Sequence, residues 1–94
     1  MIKHIVFFSA KDQKDIPVIK EALLGYRNIP SVSNLEVHEN LKKDDDSSEI
    51  DIILTVEFES LEDMDEYKKH PIFKEGINTI RPLRNLRFVA DFKS

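Results

Sequence analysis

Cysteine is missing from this chain of 94 residues, which excludes disulfides, thiolate metal sites and cysteine nucleophiles. The absence fits a reducing compartment, and the cytoplasm is the expected location. Nor is any apolar run long enough for a membrane span or a signal peptide: the opening MIKHIVFF is interrupted by Lys3 and His4, and the polar SAKDQKD follows at once. There is no basic excess either, since 14 Lys and Arg stand against 18 Asp and Glu, for a net charge of -4. That balance argues against a general phosphate-binding surface, so no nucleic-acid partner is expected. The one basic run, RPLRNLR at 81–87, reads as a solvated helix end and strand face. No repeat of solenoid period and no linker divides the chain, which is therefore one domain. A domain of this size buries only about 60 to 65% of its unfolded surface, so association with a second copy would add stability.

The one low-complexity stretch is LKKDDDSSE, residues 41–49, whose charges and serines read as an exposed loop. Its carboxylates lack the alternating ligands, the sixth-position glycine and the twelfth-position glutamate of an EF-hand, so calcium is not implied.

What remains alternates with two clear periods. Residues 2–9 place Ile2, His4, Val6 and Phe8 on one face and Lys3, Ile5 and Phe7 on the other. Residues 50–58 set Ile50, Ile52, Leu54, Val56 and Phe58 against Asp51, Ile53, Thr55 and Glu57. A last strand at 86–92 sets Leu86, Phe88, Ala90 and Phe92 against Arg87, Val89 and Asp91. A short strand near 35–40 turns Leu35 and Val37 inward. Between these, Ile16, Ile19, Leu23 and Tyr26 recur at helical spacing behind Asp15 as cap and an early Pro17, and Gly25, Asn28 and Pro30 end that helix. Ser60 and Asp63 open a second helix carrying Leu61, Met64 and Tyr67 on one side. A third is predicted from Pro71 through Phe73, Ile77 and Ile80 to a stop near Pro82.

The order strand, helix, strand, strand, helical pair, strand is the split βαβ pattern of an α+β, ferredoxin-like βαββαβ fold, a four-stranded antiparallel sheet with helices on one face. The strictly apolar face must take the helices. Ile5, Phe7, Ile53 and Val89 are then left on the other face, beside His38 and several charged residues. Four large apolar groups on a nominally solvated face imply a cover, and the simplest cover is a second copy of the same sheet. A homodimer is expected, with Ile5, Phe7, His38, Ile53 and Val89 at the interface.

Five segments together, MIKHIVFF, NIPSVSNLEV, VEFESLEDMDEY, HPIF and IRPLRNLRFVADF, resemble the stress-responsive A/B barrel (Dabb) family over essentially the whole chain. The resemblance implies a dimeric α/β barrel of ferredoxin-like subunits and, for most members, no assigned reaction; no cofactor is expected for this chain. One plant member is a polyketide cyclase that closes a ring by aldol condensation between sheet and helices. Matched residue by residue, His4, Tyr67 and His70 coincide with its polar positions. Phe73 stands where that enzyme has its second motif histidine, and Ile52 where it has another cavity histidine. Phenylalanine neither accepts nor donates a proton, so the aldol chemistry is not expected here. His4 and Tyr67 are the candidate catalytic residues that remain. Some members hold magnesium by backbone carbonyls, which would here be those of Tyr26, Ile29 and Val32.

Two functional readings follow. One is a non-catalytic homodimer, in which His4 and Tyr67 are core residues, His70 breaks a helix and His38 lacks the further ligands a metal needs. The other is a binder or enzyme for a small apolar or polyketide-like molecule. Its pocket would be lined by His4, Ile52, Phe58 and Tyr67, with His70, Phe73 and Phe88 completing the wall. Whether Phe73 and its neighbours fill that space decides between them.

Overall fold

The computed structural model describes all residues, Met1–Ser94. Strand β1 (Ile2–Ala10) leads to helix α1 (Ile16–Leu24), then to β2 (Asn34–Glu39), β3 (Ile52–Phe58), α2 (Leu61–Lys69), α3 (Pro71–Ile80) and β4 (Arg84–Lys93). The sheet order is β2-β3-β1-β4 and every neighbouring pair is antiparallel, which is the ferredoxin-like arrangement expected. The helices cover one face. Against it, the strictly alternating IILTVEF of β3 seals Ile52, Leu54, Val56 and Phe58, and β1 adds Ile2, Val6 and Phe8.

Local chemistry fixes the helix ends. The Ser60 hydroxyl accepts from the Asp63 N–H and caps α2, a bond worth about 1 kcal/mol. Glu62 and Asp63 in the first turn and Lys68 and Lys69 in the last suit the helix dipole. His70, immediately before Pro71, is extended at φ -68° and ψ 141°, as crowding by the proline ring requires. Its Nδ1 accepts from the Ile72 N–H, so one residue ends α2 and caps α3.

Three expectations are corrected. Asp15 makes no capping bond; instead Asp12 caps a 3₁₀ turn, Gln13–Asp15, that runs into α1. Strand β3 begins at Ile52 rather than 50, because the preceding Asp51 turns into the chain instead of standing on the open face. Asp51 is only 5% exposed, and its carboxylate accepts from the Ala10 N–H, Gln13 Nε2 and Lys42 Nζ. The third correction inverts β4.

Its register with β1 sets Arg87 opposite Phe8, Val89 opposite Val6 and Asp91 opposite His4, so these three share the helix side. Phe88 and Phe92 consequently lie on the open face, 57% and 47% exposed. Phe88 is therefore not a pocket residue, and Val89 is not on the open face. Strong alternation marked both sets as sheet faces. Which set faces in was decided by the pairing of an edge strand that the helices cover incompletely. The exchange enlarges the apolar open face, where His38, Ile53, Phe7 and Phe88 form one cross-strand row and Glu36, Thr55, Ile5 and Ala90 the next.

A bulge completes the strand. Phe8 pairs with Arg87, but Ala10 pairs with Arg84, so β4 takes three steps where β1 takes two. The Leu86 N–H left over in this gap donates to the Ser9 hydroxyl at 2.8 Å. The extra residue brings Arg84 and Arg87, three apart, to the same side of a sheet whose natural period is two.

Candidate functional site

A cavity of about 210 Å³ lies between the sheet and α3. Val6, Phe8 and Leu54 rise into it from the strands, and Tyr67, Phe73, Ile77 and Ile80 come down from the helices. Phe73 narrows the space without filling it. Its ring belongs to a cluster in which Tyr67 and Phe73 are 4.8 Å apart, Tyr26 and Phe73 5.3 Å, and Tyr26 stands edge-on to Tyr67 at 5.7 Å. The Tyr26 ring sits directly over Gly76 of α3, where any side chain would collide with it.

His4 and Tyr67 both line the cavity, their ring centroids 6.2 Å apart. The His4 Nδ1 is hydrogen-bonded to Asp91, the residue opposite it across the β1–β4 ladder. An ionised carboxylate only accepts, so Nδ1 carries the proton and Nε2 presents its lone pair. Burial lowers the His4 pKa, more strongly than Asp91 raises it, and the positive charges of Lys68 and Arg87 push the same way as burial. The imidazole is therefore neutral at physiological pH. Burial drives the Tyr67 hydroxyl well above its ordinary value and the Tyr26 hydroxyl up to about 12, so both keep their protons as donors. The Tyr26 hydroxyl donates a hydrogen bond to the Phe73 carbonyl at 3.4 Å. No protein group bonds Tyr67 Oη or His4 Nε2. The sole sealed polar side-chain atom without a partner is Ser31 Oγ, so both of these open on the cavity.

The remaining expected lining residues lie elsewhere. Ile52 and Phe58 are wholly buried in the core; Phe58 packs at 5.0 Å behind Tyr67 and does not reach the cavity. His70 faces a different groove, with Pro30, Asp63 and Glu66. His38 is on the open face and bonds Glu36. Of the three carbonyls considered for magnesium, that of Tyr26 accepts from the Ile29 N–H and that of Ile29 from the Val32 N–H. Each keeps a second lone pair, and the orphaned Ser31 hydroxyl lies between Ile29 and Val32 in the chain, so the oxygen donors suit a hard cation. An ion held by them would fix the turn that leads into β2.

Four site residues escaped the sequence reading. Asp91 and Arg87 were assigned to the opposite face, and Arg81 and Arg84 to solvent, yet the three arginines line the cavity. Their regular spacing of three, across a helix end and a strand, was the available signal. It could not be read without the bulge.

The family model for the stress responsive A/B barrel domain matches residues 2–94. Among curated proteins there is no sequence match. Solved structures share the fold at low identity. A dimeric ferredoxin-like protein of unknown function from Thermobifida fusca has a TM-score of 0.85 at 20% identity, covering 99% of this chain and 90% of its own. A Dabb family protein from Mesorhizobium loti gives 0.80 at 19%, with 99% and 95% covered. The hydroxynitrile lyase of Passiflora edulis gives 0.82 at 21%, with 97% and 90% covered.

Proposed function

Because this chain belongs to the stress-responsive A/B barrel (Dabb) family, we propose that it acts as a homodimer whose subunits each hold a small, largely apolar molecule between sheet and helices. The observation that carries this reading is the cavity that Phe73 leaves open, with His4 Nε2 and the Tyr67 hydroxyl turned into apolar walls. Such a concave apolar space with a few convergent polar atoms is the usual form of a small-ligand site. Pairing is supported by the apolar rows on the open face and by relatives described as dimeric.

The test has two arms. Wild-type protein is expected to scatter as about twice the 11.0 kDa chain mass, and Phe7→Asp combined with Phe88→Asp to scatter as a folded monomer. A wild-type monomer would sink the pairing. Hexanol is expected to raise the melting temperature of the wild type but not of Ile77→Trp, whose indole occupies the cavity. Equal shifts in both proteins would sink the pocket.

The Asp91–His4 bond favours a second reading, acid/base chemistry on the bound molecule. An imidazole oriented by a carboxylate, with Nε2 left basic toward a ligand, is a competent proton acceptor, and the Tyr67 hydroxyl, which keeps its proton, is a hydrogen-bond donor beside it. The aldol route of the plant cyclase is not proposed, since Phe73 supplies no base.

A further inference from the structure

The apolar cavity has a cationic rim. Arg81 ends α3, Arg84 opens β4, and Arg87 follows beyond the bulge, and all three border the same space. None is in an ion pair, although the chain carries 18 acidic residues and forms four lysine–carboxylate salt bridges elsewhere. Asp91, the carboxylate next to His4, is engaged by the imidazole. Like-charged guanidinium groups gathered beside an apolar space and left without a counter-ion repel one another, least screened at the half-buried Arg84, and an entering anion would relieve that repulsion.

Burial lowers the pKa of Arg87 first and the charges of Arg84 and Arg81 lower it further, opposed by Tyr67 and Tyr26 and by no carboxylate. Arg87 and Arg81 are nonetheless exposed and Arg84 half-buried, as groups at the mouth of a cavity must be. The sequence does not need three arginines here for general electrostatics, because its net charge is -4.

We infer that the molecule held in the cavity is a small amphipathic organic anion, its apolar body against Val6, Phe8 and Leu54 and its carboxylate or phosphate in the guanidinium forks of Arg81, Arg84 and Arg87. The inference rests on the small-molecule reading above and adds the charge and polarity of the ligand. Arginine suits the role because its planar donors pair two at a time with either oxyanion. Polarity within the site is then divided: the anion lies at the rim, and His4 Nε2 with the Tyr67 hydroxyl meets the body deeper in.

The test titrates the full-length protein at neutral pH with hexanoate, hexyl phosphate, hexanol and hexylammonium, reading heat of binding and melting temperature. Both anions are expected to bind, and the tighter of the two names the oxyanion. Hexanol should bind about 10- to 100-fold more weakly, the worth of a charge-assisted pair, and hexylammonium not measurably. Arg84→Gln with Arg87→Gln should weaken the anions by a similar factor and leave hexanol unchanged. Each single substitution, and Arg81→Gln at the exposed helix end, gives a smaller loss in the same direction and serves if the double variant unfolds. Hexanol binding as tightly as the anions, hexylammonium matching them, or variants that hold hexanoate like the wild type would overturn the inference while the pocket stands. If none of the four probes binds, the pocket itself is lost and the inference with it.

Discussion

Gly76 is the residue whose replacement tests the aromatic cluster most directly. A Cβ built there would lie 2.2 Å from Tyr26 Cε1, 2.4 Å from its hydroxyl and 2.6 Å from Cζ, where ordinary contact begins at 3.4 Å. The far end of a side chain gives way cheaply only when it has somewhere to go. Tyr26 is 3% exposed and held between Tyr67 and Phe73, and the cavity it lines is the space into which its ring would have to move, at the expense of those two contacts. Overpacking of this kind costs about 1 to 3 kcal/mol, and the depth of the overlap places Gly76→Ala near the upper end. Alanine returns about 1 kcal/mol as the better helix former, for a net loss of about 2 kcal/mol. In a domain of this size that lowers the melting temperature by roughly 8 to 16 °C. The assay is thermal unfolding followed by circular dichroism at one protein concentration, because association shifts the midpoint. Gly25→Ala is the control: Gly25 has helical angles, φ -60° and ψ -24°, with no atom within 4 Å of a new Cβ. It should stabilise by about 0.4 to 1 kcal/mol. If Gly76→Ala proves as stable as Gly25→Ala, the Tyr26 ring is free to swing aside and the cavity wall is not rigid.

Two further outcomes concern buried ionisable groups. His4 has a folded-state pKa below its unfolded value, so the unfolded chain binds the extra proton; stability is intact above about pH 6.5 and falls as pH drops toward the folded pKa, by at most about 1.4 kcal/mol per pH unit. Asp91→Asn removes the charge that raises that pKa and should extend the loss to lower pH, whereas His4→Gln should remove this component; unfolding curves that coincide for all three proteins would refute the assignment. Asp51→Ala strands the Ala10 amide and frees Lys42, at a cost of about 1 to 3 kcal/mol in denaturant unfolding, and a loss below 0.5 kcal/mol, about the scatter of surface changes, would show that water replaces the carboxylate. Burial raises the Asp51 pKa but its donors, Lys42 first, lower it more. Wild-type stability from this group is therefore complete above the unfolded carboxylate pKa and lost only as pH falls through a lower folded value.

Period-two and helical patterns are local properties of the chain. Hence the order of elements, the sealed face of β3, the Ser60 cap and the break at His70 were legible in residues near one another in sequence. Family resemblance added the barrel fold and singled out His4 and Tyr67, which line one cavity. It also identified Phe73, whose ring leaves that cavity open.

What composition and spacing alone determined is a small, cysteine-free α+β chain with one face sealed and a second too apolar to stand in water. Tertiary structure decided which residues share each face wherever a long-range partner sets the phase. Both alternations in β4 were adequate strands, and only pairing with β1 across some 80 residues chose Arg87, Val89 and Asp91 for the helix side. The bulge beside Ser9 then carried Arg84 to the same side, and the pull of three separate donors drew Asp51 inward. A strand's period is written in its own residues, but its phase, its bulges and the charges they gather belong to the neighbour it pairs with.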